Sequence, residues 1–130
     1  MKELSLYADA ECWKFKWEHP DEFASYGCGP GGVGDFLIPD TVWITVSIRD
    51  ACRIHDWGYR HCMESSEEDR ARHDRILRNN AIRIVNHYTK SKLLKWLRYR
   101  RVQTYYAMVK RFGSNAYWEE RNNADEYKVV

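Results

Sequence analysis

Along residues 41 to 112 the spacing of apolar positions changes from a period of two to one of about three and a half. In TVWITVS, Val42, Ile44 and Val46 alternate with Thr41, Trp43 and Thr45. Alternation of β-branched residues predicts a short strand or extended segment. Then Ile48, Cys52, His55, Tyr59 and Cys62 recur at spacings of four, three, four and three, which is one stripe of a helix. Ser47 or Asp50 can cap this helix, which the pattern carries to about Met63. ESSEEDR ends it and opens the next one, because Ser65 with Glu68, or Ser66 with Asp69, forms a capping box and acids suit a first turn. The new helix covers 67 to 88, with Asp74, Leu77, Ala81, Ile84 and Tyr88 on one stripe. A last helix is predicted over 90 to 112, with Leu93, Leu94, Leu97, Arg101, Tyr105 and Met108 as its apolar side, ended by Gly113 and Ser114. From 115 to 130 the chain turns polar and is expected to be a loosely ordered tail.

The first 25 residues mix aromatics with charge and predict a short helix at 8 to 17. Between that helix and the alternating segment lies YGCGPGG, Tyr26 to Gly32, with four glycines and a proline in seven residues. Such a run forms neither a helix nor an interior strand. A loop that exposes its carbonyls is instead an oxygen cage for a hard cation such as calcium, and the carboxylate of Asp56 can supply charge to it.

Composition narrows the class. A chain of 130 residues, 44% apolar and 31% charged, reads as one soluble domain, 1 to 130. No apolar run is long enough to cross a membrane. The N-terminus MKELSLYADAECWKFKW has no apolar signal-peptide region, so the expectation is cytoplasmic synthesis, with association to a virus particle or export by a non-classical route. The net charge is only +2, but it is unevenly spread. From Arg75 to Trp118 there are eleven Lys or Arg residues and no acid. That half is a candidate binder of anionic surfaces, either phospholipid headgroups or nucleic acid; with no recognised nucleic-acid motif, the lipid surface is preferred and no nucleic-acid partner is expected. Cys12, Cys28, Cys52 and Cys62 permit three pairings and match no CxxC metal pattern.

The stripes locate candidate chemistry. An acid among apolar stripe positions is costly unless it has a partner, and Asp74 has two kinds within reach. With a tight turn near Ser65 the two helices pack antiparallel, His55 and Asp74 lie ten and nine residues from it, and the pair can hydrogen-bond across the seam. A salt bridge from Asp74 to Arg70 or Arg78 is the alternative. A histidine held by an acid has a defined tautomer and a stabilised cation, as a general base for water activation needs. Asp56 points about 100° from the stripe. His61, His73 and His87 are read as surface or cap residues. A thiol nucleophile at Cys52 is set aside because it lies mid-stripe rather than at a helix N-terminus.

YGCGPGG followed by DACRIHDWGY, Asp50 to Tyr59, resembles the secreted phospholipase A2 superfamily. Its calcium loop reads CGxGG and its active-site helix DxCCxxHDxCY. The match covers residues 26 to 59, with support through Asp74. The resemblance implies a mainly α fold with an antiparallel helix pair carrying the active site beside a glycine-rich calcium loop. It implies calcium-dependent hydrolysis of a glycerophospholipid acyl ester at a membrane surface. His55 matches the base that activates water and Tyr59 the tyrosine that buttresses the pair; the family's partner acid has no unambiguous counterpart by motif and is assigned to Asp74 from its stripe and height. Gly27, Gly29 and Gly31 match the loop carbonyls that hold calcium with Asp56, and the Gly29 amide adds to the oxyanion hole. Cys28 and Cys52 fall where the family ties loop to helix by a disulfide. Ala51 and Gly58 replace cysteines of the family pattern, and the segment Asp35 to Ser47 lengthens the span between loop and helix. The short interhelical connection is more like the compact microbial and parvoviral versions, so a phage, viral or effector-like origin fits. The added segment also leaves room for a catalytically silent binding or virion-structural module on the same scaffold.

Overall fold

The computed structural model describes residues 4–26, 41–42, 46–61, 65–113 and 117–118, and it is mainly helical. Its elements are α1 (Ala10–Glu18), α2 (Pro20–Ser25), β1 (Thr41–Val42), β2 (Val46–Ser47), α3 (Arg49–His61), α4 (Glu67–Tyr88) and α5 (Lys92–Phe112). The glycine loop, Cys28 and Cys62 lie outside the described residues, and with them the expected loop ligands Gly27, Gly29 and Gly31.

The alternating segment is not one strand. β1 and β2 pair antiparallel, with Thr41 opposite Ser47 and Val42 opposite Val46. Alternation reports a pleat but not where the chain reverses, so a hairpin and a single strand read alike over seven residues. α2 has no periodicity to detect in six residues, yet Pro20 at its first turn presets the helical φ.

α4 begins where its cap chemistry places it. The Ser66 hydroxyl accepts from the Asp69 amide at 3.0 Å, which is the N-cap half of the expected capping box, while the Ser66 amide turns to the Tyr117 hydroxyl instead of the Asp69 side chain. α3 crosses the middle of the molecule and is buried on two sides. Ile48, Ala51 and Cys52 join Leu77, Ala81, Ile84, Val85, Val102 and Tyr105 in one apolar cluster. Ile54 and Trp57 join Cys12, Phe23, Tyr26 and Ile76 in a second cluster against the N-terminal helices. Burying one such aliphatic or aromatic side chain contributes about 1.5–3 kcal/mol. A helix clamped on both sides is therefore a rigid platform for His55 and Asp56.

Two polar clamps hold the N-terminal segment on α4. The Asn80 side chain accepts from the Tyr7 amide and donates to the Tyr7 carbonyl, each at 2.8 Å, in the manner of a strand neighbour. Asp9 receives both terminal nitrogens of Arg72, and that hydrogen-bonded guanidinium holds the Asp9 carboxyl below its ordinary range.

α5 departs from expectation in its facing. Of the expected apolar side Tyr105 is buried, as are Arg98 and Val102 from outside it, while Leu93 and Leu94 are exposed. Tyr88, on the predicted stripe of α4, is exposed as well. Leucine-rich and tyrosine-rich sides compete on α5, and the deciding factor is what lies opposite. Tyr105 meets the Cys52 sulfur at 3.6 Å, and the buried Arg98 guanidinium donates to the Thr89 hydroxyl at 2.6 Å. Beyond α5, Tyr117 is fully buried although it belongs to the stretch expected to be loose. Its hydroxyl accepts from the Ser66 amide and donates to Asp69, so it fastens the start of α4.

Candidate functional site

α3 and α4 run antiparallel, and their seam joins the predicted pair. His55 Nε2 lies 2.8 Å from Asp74 Oδ1. Tyr59, one turn along α3, donates its hydroxyl to the same oxygen at 2.6 Å, and the His55 and Tyr59 rings sit 4.2 Å apart. Arg70, one turn before Asp74 on α4, donates to the other oxygen, Oδ2, at 3.5 Å. The two alternatives for Asp74 are therefore both realised: it bridges the seam to His55 and pairs with Arg70. Asp74 is fully buried, and this set of donors is what makes a carboxylate tolerable there.

This geometry assigns protons. A carboxylate acceptor keeps hydrogen on His55 Nε2, which leaves the Nδ1 lone pair as the basic site. The His55 side chain keeps 12% of its surface exposed, enough for a water to approach. Burial, and then the Asp74 charge, push the Tyr59 hydroxyl far above the ordinary phenol range, so Tyr59 stays a neutral donor that aims Asp74. Gly113 closes this corner from the far end of α5, where an added Cβ would stand 2.8 Å from the Tyr59 hydroxyl.

Asp56 is on the next side of α3, 8% exposed. Its Oδ1 accepts from Arg60 Nε at 3.0 Å. A buried carboxylate is the kind of hard oxygen donor calcium takes, so the residue fits that role chemically. A cation there must share Asp56 with Arg60 or displace it. Among the described residues there is no group of three or more His, Cys, Asp or Glu side chains gathered as a metal site.

One grouping escaped the sequence reading. His73, read as a surface or cap residue, is buried with 2% exposure. Its Nε2 stands 3.3 Å from Asp69 Oδ1 without the alignment of a hydrogen bond. Its ring fills the space left by Gly58, where an added Cβ would come within 2.6 Å of His73 Cε1. Burial, opposed by the Asp69 charge, lowers its pKa from the ordinary histidine value. The available signal was Gly58 itself, a glycine in the middle of a helix with no turn to explain it.

Cys12 is buried and free, with its thiol pushed up to about 12 by burial and then by Asp9. That makes it a packing residue rather than a nucleophile. No protein-family model, no curated protein and no solved structure matches this chain.

Proposed function

We propose that this protein is a calcium-dependent hydrolase of glycerophospholipid acyl esters, a phospholipase A2-like enzyme acting at an anionic membrane surface. The observation that carries the reading is the 2.8 Å contact between His55 Nε2 and the fully buried Asp74, which leaves the Nδ1 lone pair as the base. In this reading Nδ1 takes a proton from a water molecule as its oxygen attacks the ester carbonyl. Asp74 stabilises the imidazolium so formed, and the proton passes to the departing alcohol oxygen as the ester C–O bond breaks. Tyr59 and Arg70 keep Asp74 aimed throughout.

Asp56, with the carbonyls of Gly27, Gly29 and Gly31, is the proposed calcium set. A Cys28–Cys52 disulfide is the proposed tie between loop and helix. When bound, calcium polarises the ester carbonyl and offsets the charge that develops on its oxygen. The decisive measurement is fatty-acid release from anionic vesicles, with and without calcium, for the parent protein and His55→Gln. Release that depends on both supports the reading, and equal release in all four conditions removes it.

The Asp56–Arg60 ion pair favours a second reading, a catalytically silent phospholipase A2-like module used for binding or virion structure. There the guanidinium occupies the place a cation would take. Calcium titration separates the two: saturable binding at millimolar calcium that is lost in Asp56→Asn supports the enzyme, and no binding supports the silent module.

A further inference from the structure

We propose that the first turns of α5, with Tyr88 at the end of α4, form the face by which the protein docks on an anionic lipid bilayer. This rests on the membrane reading above and names the surface that carries it. The buried residues of α5, Arg98, Val102 and Tyr105, mark its inward side. Leu93, Trp96 and Arg100 follow at intervals of three and four, and at about 100° per residue they centre on the opposite side of the helix. Leu93 is 65% exposed and Trp96 54%. Farther along the same side come exposed Gln103 and Ala107, so the apolar character is confined to the start of the helix. Tyr88, 60% exposed, adds an aromatic ring just before the corner.

Charge selects the occupant. Lys90, Lys92 and Arg100 are exposed around this patch, and the Arg100 guanidinium lies over the Trp96 ring at 5.0 Å. No acid occurs between Arg75 and Trp118, so a second copy presenting this face would meet like charge. Trp and Leu beside long-stemmed cations is the chemistry of a bilayer interface, where ring and aliphatic stem enter the headgroup region and the charge stays with the phosphates. The other exposed tryptophans among the described residues contrast with it. Trp13 and Trp17 on α1 sit in a stretch of mixed sign, Glu11, Glu18, Asp21 and Glu22 against Lys14 and Lys16, so an anionic surface attracts them less than it attracts the acid-free α5.

The test is co-sedimentation of the full chain with phosphatidylcholine vesicles, with and without phosphatidylglycerol, in the absence of calcium, so that binding is read apart from hydrolysis. Leu93→Ser with Trp96→Ser, and separately Lys92→Gln with Arg100→Gln, should each weaken partitioning into the anionic vesicles by about tenfold or more. Trp17→Ser, and Lys110→Gln with Arg111→Gln at the far end of α5, should leave it unchanged. All variants are exposed, and circular dichroism checks their fold. If the α5 patch variants partition like the parent, or if the patch is needed for salt-sensitive binding to duplex DNA while vesicles are not bound, the proposal fails. Hydrolysis of a monomeric short-chain phospholipid keeps the two readings distinguishable. Patch variants should retain it, whereas His55→Gln should lose it while still binding vesicles.

Discussion

Two histidine–aspartate pairs lie side by side in this molecule, and they do opposite things. His55 and Asp74 come from different helices, meet at 2.8 Å, and leave part of the His55 side chain exposed. His73 and Asp69 share one turn of α4, stand 3.3 Å apart and are both sealed from water. The first pair has the acceptor, alignment and access that proton transfer needs. The second has lost access, and burial lowers the histidine's affinity for a proton. Residue type and proximity therefore do not make a dyad. The route by which water reaches the free nitrogen does, and the fold around each pair sets that route.

The largest expected effect falls on His55. His55→Gln should keep the fold and lower turnover of a phospholipid substrate by about 10²–10⁴-fold. The comparison breaks if His73→Gln costs as much activity at unchanged stability. Next is Asp74→Ala, which leaves the Tyr59 hydroxyl and the Arg70 guanidinium without their buried acceptor. It should destabilise the protein by roughly 3–5 kcal/mol in urea unfolding, besides removing activity.

Gly58→Ala tests the second pair through packing. The new methyl group meets the His73 ring, so about 1–3 kcal/mol of stability should be lost. Adding His73→Ala should recover part of it, and a double-mutant cycle reads that coupling. Strict additivity would show that the ring can move aside and that the two positions are independent.

The smallest effect is a pH dependence. Because the folded state lowers the His73 pKa from its ordinary 6.5, the unfolded chain binds the proton more readily. Stability is then complete above about pH 6.5 and declines as pH falls below it, levelling off once the pH is below the folded value, with a slope of at most about 1.4 kcal/mol per pH unit. The groups facing His73 are Asp69 on its own helix, His55 across the seam, and Arg72 and Asp9 beside it. Thermal melts of the parent and His73→Gln between pH 7 and 5 should diverge, with the parent losing more. Parallel curves would place the acid sensitivity elsewhere.

Much of the site was legible because helix periodicity is a ruler. His55 and Asp74 lie on apolar stripes and at matching distances from a turn that Ser66 marks by its cap, so sequence alone brings them to one height. The choice between His55 and Arg70 as the partner of Asp74 was not legible, since a carboxylate has two oxygens and here serves both. The loop carbonyls, Gly27, Gly29 and Gly31, fall outside the described residues, and the calcium assignment rests on Asp56 and on the resemblance.

The three long helices α3 to α5, the Ser66 cap and the pairing of α3 with α4 were determined by local chemistry: period, a capping residue and a short connection. The tertiary structure decided what depends on an opposing surface. It placed Arg98 and Val102, beside the expected Tyr105, rather than Leu93 and Leu94 of α5 against the core. It buried His73 against Gly58 and pinned α4 with Tyr117, which no pattern in its polar neighbourhood foretold. Periodicity specifies which residues share a side of a helix, whereas burial depends on what packs against that side, and only the assembled chain supplies it.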